Sequence, residues 1–105
     1  MTKVAVLALF LLTVATFPAR ADDAGAALYK AKCASCHGAD GSGNTPAGKS
    51  LKVGDLRSPE VQKMSDADLI AITTNGKGKM PAYGGKLSAD QIKQVVAAIR
   101  AMAAK

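Results

Sequence analysis

At 105 residues, with 14 basic against 8 acidic side chains and a formal net charge of +6, the chain has room for one domain and excludes a second. Two cysteines, one histidine and no tryptophan exclude a multi-disulfide scaffold and leave few large side chains for a core. The basic residues are dispersed, with few aromatics among them, which speaks against nucleic acid as a partner.

Residues 1–21 read as an export signal. Lys3 supplies a positive n-region, residues 4–14 an apolar h-region, and Ala19-Arg20-Ala21 a small-residue cleavage site. The apolar run falls short of the ~20 residues that span a hydrocarbon core, so a cleaved signal is favoured over a retained anchor. Cleavage after Ala21 leaves residues 22–105 as the domain. Losing Lys3 and Arg20 lowers the formal charge to +4, a basic balance that suits acidic partners. A chain of this size buries only roughly 60–65% of its unfolded surface. Once Phe10 and Phe17 leave with the signal, Tyr29 and Tyr83 are its only aromatics. Cys33 and Cys36 lie too close in sequence for a bridge between them to help much. A large buried group would fill such a core.

Residues 22–36 are predicted to be helical. Asp22 and Asp23 suit the first turn, and Ala24, Ala26, Ala27, Leu28 and Ala31 are good helix formers. Gly25 costs about 0.5–1 kcal/mol there relative to alanine, which makes sense if another helix crosses at that point. Residues 38–54, rich in glycine and small polar side chains, read as a loop in which Leu51, Val53 and, just beyond, Leu56 reach the core. Ser58-Pro59 starts a short helix that carries Val61 and Met64 inward. Ser65 caps the next helix, with Asp66 and Asp68 in its first turn, an apolar side of Leu69, Ile70, Ile72 and Thr73, and a stop at Asn75-Gly76. Residues 77–85 hold three glycines and Pro81 and must be irregular. The last helix opens with Ser88 and Gln91 as a capping box and Leu87 as the staple. Its apolar stripe is Ile92, Val95, Val96, Ile99 and Met102. Nothing alternates like a strand, so the predicted class is all-α, three to five short helices.

Chemistry concentrates in Cys33-Ala34-Ser35-Cys36-His37. On one helix Cys33, Cys36 and His37 stand at i, i+3 and i+4 and project to one side. This is the CxxCH haem-attachment spacing: two thiols add to the porphyrin vinyl groups, and the adjacent imidazole lies under the iron. A thioredoxin-like dithiol wants a βαβ setting, which no strand pattern offers. A structural zinc site wants four ligands, and these three residues are all the cysteine and histidine present. A buried pair of structural thiols leaves His37 unexplained.

With a single histidine, the sixth iron position is a methionine or open. Met1 leaves with the signal, and Met64 and Met102 occupy apolar helical positions. Met80 lies between Gly78 and Pro81 in irregular chain, where a thioether serves no helix face and backbone can approach a flat ring. His37 and Met80 are therefore the expected axial pair, a combination of higher reduction potential. A catalytic or gas-sensing haem needs an open site and a polar distal group, and Met80 argues against both.

The CASCH motif on an N-terminal helix, the Gly-Lys-Gly-Lys-Met-Pro-Ala-Tyr loop and the capped last helix together resemble the class I cytochromes c over residues 22–104. The look is that of short bacterial electron carriers, including the photosynthetic type that replaces plastocyanin. The resemblance implies N- and C-terminal helices crossing through Gly25 with Tyr29 as the aromatic neighbour, around one covalent haem c. It also implies a proline carbonyl that accepts from the proximal imidazole, for which Pro46 is the candidate. The chain departs from the pattern at Ala97-Ala98, where family members often carry an aromatic, which leaves Ile99 and Met102 to fill the crossing. The function implied is outer-sphere electron transfer by a monomer in the bacterial periplasm or an equivalent space, with no enzymatic activity. Its partners would be a cytochrome complex, an oxidase or a dehydrogenase. Lys49, Lys52, Lys77, Lys79 and Lys86 lie in or near the two loops expected to border the haem, either as a solvated surface or as a ring that steers acidic partners.

Overall fold

Local signals set the helix starts, and one close crossing sets the arrangement. The computed structural model describes residues 21–103, so the expected signal segment lies outside the described residues except for Ala21. Six helices follow in order: α1 (Ala21–Lys32), α2 (Ala34–His37), α3 (Pro46–Leu51), α4 (Pro59–Gln62), α5 (Asp66–Asn75) and α6 (Ala89–Ala103). Among the described residues there is no strand, only an isolated antiparallel bridge between Lys77 and Met80. The class is all-α, with one helix more than the three to five predicted.

α1 packs across α6, and α5 packs on the same helix. A Cβ at Gly25 would fall on the Gln94 carbonyl, so only glycine lets the two backbones meet there. Around the crossing lie Tyr29, Leu87, Ile92, Val95, Ala98 and Ile99, all buried. Burial of each large aliphatic among them favours the fold by about 1.5–3 kcal/mol. Where the family pattern has an aromatic, Ala98 is buried and Met102 packs on the cluster from its edge. Leu87 and Ile92, which bracket the start of α6, belong to that cluster and act as the expected staple. The capping box is formed in both directions: Gln91 N–H donates to Ser88 Oγ at 3.1 Å, and Ser88 N–H donates to Gln91 Oε1 at 2.8 Å.

Ser58 and Ser65 cap α4 and α5 as predicted. A side chain with no sequence signal ties this half of the molecule together. Arg100 on α6 donates to the Gln62 carbonyl at 2.9 Å, to the Met64 carbonyl, and to Asp66 Oδ1 at 2.9 and 3.0 Å. It thereby clamps the α4–α5 junction onto the last helix. Gln62 adds a bond to the Leu56 carbonyl at 2.8 Å.

Three sequence expectations need correction. Residues 38–54 are not all loop: Thr45 caps α3, and Pro46 occupies its first turn. The first helix does not run unbroken to residue 36. It stops at Lys32, turns at Cys33 and resumes as α2 until Gly38, whose φ of 84° ends it. Leu51 is also not a core residue, being 37% exposed.

Candidate functional site

The break at Cys33 shapes the site. The Cys36 and His37 amides both donate to the Cys33 carbonyl, at 3.3 and 3.0 Å, tightening the turn that carries the motif. Cys33 and Cys36 are free thiols, each half-buried. His37 is half-buried as well, and burial pushes its pKa below the ordinary histidine value. A neutral imidazole keeps a lone pair for a metal at neutral pH. Burial likewise raises the pKa of the Cys33 thiol.

The segment after the motif folds back onto it. Gly43 N–H donates to the His37 carbonyl at 2.7 Å, and the Thr45 hydroxyl donates to the Cys36 carbonyl at 2.8 Å. The same hydroxyl accepts from Gly48 N–H at 2.8 Å, so one side chain caps α3 and satisfies the end of α2. Gly48 is buried, and a Cβ there would strike the Cys36 and Gly43 carbonyls. α3 therefore lies directly against the backbone of the motif. Thr45, Gly43 and Gly48 are site-building residues not predicted from the sequence. The Thr45-Pro46 pair carried the signal, because a capping side chain followed by proline is the pattern that marks α4 at Ser58-Pro59.

The predicted link from Pro46 to the imidazole is not formed. His37 Nδ1 is buried with no hydrogen-bond partner among the described residues. Pro46 instead opens α3 and is exposed, while Gly43 and Thr45 reach back to the motif. Both contacts go to main-chain carbonyls, which leaves the ring nitrogen alone.

Met80 sits on a tight turn. Lys77 and Met80 exchange both backbone hydrogen bonds, at 3.2 and 2.9 Å, with Gly78 between them at φ 58°. Beyond it, Tyr83 N–H donates to the Thr73 carbonyl at 3.0 Å, tying the segment to α5. The Tyr83 hydroxyl donates to the Lys32 carbonyl at 3.0 Å.

These elements enclose a cleft of about 750 Å³, within the range of roughly 300–1,000 Å³ usual for small-molecule and cofactor sites. Cys33, Cys36, His37 and Met80 all line it, with Leu51, Val53, Pro81 and Tyr83 supplying much of its apolar wall. The structure thus gathers all four predicted donor residues and leaves Pro46 out. Lys32, Lys52, Lys77 and Lys79 are the charged residues of its lining, and no carboxylate joins them. Three acidic residues, Asp40, Asp55 and Asp66, instead pair with Arg57 or Arg100 away from the cleft. Lys49 is exposed on α3, and Lys86 lies over the Tyr83 ring at 5.5 Å. Met64 and Met102 are half-buried and do not line the cleft.

Two thiols, a neutral imidazole and a thioether in one largely apolar cleft fit a covalently attached haem. They do not assemble a protein-only metal site: among the described residues no three His, Cys, Asp or Glu side chains gather to hold an ion.

Comparison with known proteins agrees with this fit. The family model described as "Cytochrome C oxidase, cbb3-type, subunit III" matches residues 20–97. A cytochrome c6 of Nostoc sp. is 43% identical over 101 residues, covering 88% of this chain and 87% of its own. A cytochrome c6 of Synechococcus sp. is 44% identical over 103 residues, covering 91% and 88%. A solved structure described as the KustC0563 c-type cytochrome aligns with a TM-score of 0.69 at 31% identity, over 74% of this chain and 95% of its own.

Proposed function

This chain belongs to the class I cytochromes c, and on that premise we propose that Cys33 and Cys36 bind the haem, that His37 and Met80 hold its iron, and that Lys32, Lys52, Lys77 and Lys79 guide its partners. Membership makes it an electron carrier, not an enzyme, with one covalently bound haem c. When bound, that group supplies a one-electron Fe(II)/Fe(III) couple.

The protein's own residues do the rest. The free thiols of Cys33 and Cys36 would hold the haem covalently, each through one thioether bond. Burial keeps the His37 imidazole neutral and available to the metal. The Met80 thioether, which lines the same cleft, would hold the iron together with His37 and so leave it closed to substrates. Leu51, Val53 and Pro81 hold an apolar wall that limits water around the site. The observation that carries this reading is that His37 and Met80, far apart in sequence, line one cleft with both cysteines.

Four lysines and no carboxylate around the cleft support an acidic docking surface on the partner. Such a charge pattern raises encounter rates at low salt without tight binding, which suits a carrier that must release quickly. Residues 1–21 direct export, and cleavage after Ala21 delivers the domain to the periplasm or an equivalent extracytoplasmic space. Among the described residues no helix is long and apolar enough to cross a membrane.

Met80→Ala tests the ligand assignment. The ferric protein is expected to lose the weak near-red absorption band of methionine-ligated haem while keeping its covalent haem. Survival of that band in the variant contradicts the assignment.

A further inference from the structure

The CxxCH motif and Met80 reach the cleft from separate parts of the chain, and something must hold those parts in register. Among the described residues, one hydrogen bond joins the segment 77–85 to α1 or α2: the Tyr83 hydroxyl on the Lys32 carbonyl, bridging 51 positions in sequence. Lys32 is the last residue of α1, directly before Cys33. The turn at Cys33 draws the Cys36 and His37 amides onto the Cys33 carbonyl, and Tyr83 takes the carbonyl just before it.

We propose that Tyr83 is a positioning residue for Met80, its hydroxyl latching the methionine-bearing segment onto the end of α1, directly before the first haem-binding cysteine. The backbone of Tyr83 is already fixed to α5 through the Thr73 carbonyl, and its own carbonyl accepts from the Lys86 and Leu87 amides at 2.9 Å. Tyr83 is therefore a firm post. Only Pro81 and Ala82 separate it from Met80, and the proline ring fixes one torsion of that short link. Swinging Met80 away from the cleft requires the latch to open or the link to bend. This inference rests on Met80 being the axial ligand.

The test is imidazole binding to the ferric holoprotein at constant pH, compared between the wild type and Tyr83→Phe. Phenylalanine keeps the ring, its packing and the backbone bonds, and removes the latch alone. Because imidazole must displace the methionine, losing one neutral hydrogen bond that opposes displacement is expected to raise imidazole affinity by about two- to tenfold. A hydroxyl that served general stability only would lower the denaturation midpoint and leave imidazole affinity at the wild-type value, and that result overturns the proposal. A wild-type protein without the near-red methionine band overturns the ligand assignment first and the latch with it. A present band with unchanged imidazole affinity overturns the latch alone.

Discussion

Replacing Cys33 and Cys36 together by alanine is expected to leave almost no haem-containing protein in the exported fraction. Both thiols line the cleft, and without them any haem is held by coordination alone. The consequence extends to folding. The buried cluster of Tyr29, Leu87, Ile92, Val95, Ala98 and Ile99 lies at the α1–α6 crossing, whereas Leu51, Val53 and Pro81 face a cleft that only a large group can fill. Native domains have only about 5–15 kcal/mol in total, so a thioether-less chain that loses the contacts of a large core group is expected to be markedly less stable and to accumulate at lower yield. Haem staining of denaturing gels, with immunoblotting for total chain, reads the outcome. Recovery of a folded, haem-containing double variant at wild-type yield contradicts the attachment scheme.

Gly25→Val is expected to have a comparable effect on stability. The new Cβ would meet the Gln94 carbonyl, and backbone cannot rotate aside as a side chain can. α1 and α6 must separate, and the cluster around Tyr29 and Val95 opens with them. Overpacking of this kind typically costs 1–3 kcal/mol, and a clash with main chain places this variant at about 3 kcal/mol or more. For a domain of this size that corresponds to a fall in Tm of about 12–24 °C. Ala27→Val, at an exposed position of the same helix, controls for the helix propensity of valine. If Gly25→Val costs no more than Ala27→Val, the close crossing is wrong.

The helices with side-chain caps and an apolar stripe were legible in the sequence. Ser58, Ser65 and Ser88 each mark a start, and the Ile92, Val95, Val96, Ile99 stripe of α6 is buried as its spacing predicts. α3 was not, although Thr45-Pro46 has the same form as Ser58-Pro59. Its six residues have no apolar period, because α3 contributes a backbone approach at Gly48 instead of a hydrophobic face. The break at Cys33 is hidden for another reason. No glycine or proline marks it, and the interaction that takes the freed carbonyl comes from Tyr83, far along the chain.

That Cys33, Cys36, His37 and Met80 share a cleft could be expected from the sequence: CxxCH is a short motif, and among residues 22–105 Met80 is the one methionine without a helical stripe to explain it. The residues that hold the motif in place were less visible, since Gly43 and Thr45 act on carbonyls that every residue has. Tyr29 shows both sides. Its burial at the crossing follows from the family resemblance, while its hydroxyl bond to the Gly38 carbonyl, at 2.6 Å, adds a tie between α1 and the end of α2.

The central claim is that one haem is covalently joined to this domain through Cys33 and Cys36. Mass spectrometry of the purified exported protein under denaturing conditions tests it most directly. The account predicts a single species equal to the polypeptide from Asp22 to Lys105 plus one haem; the mass of the polypeptide alone, with the haem released on denaturation, would contradict it.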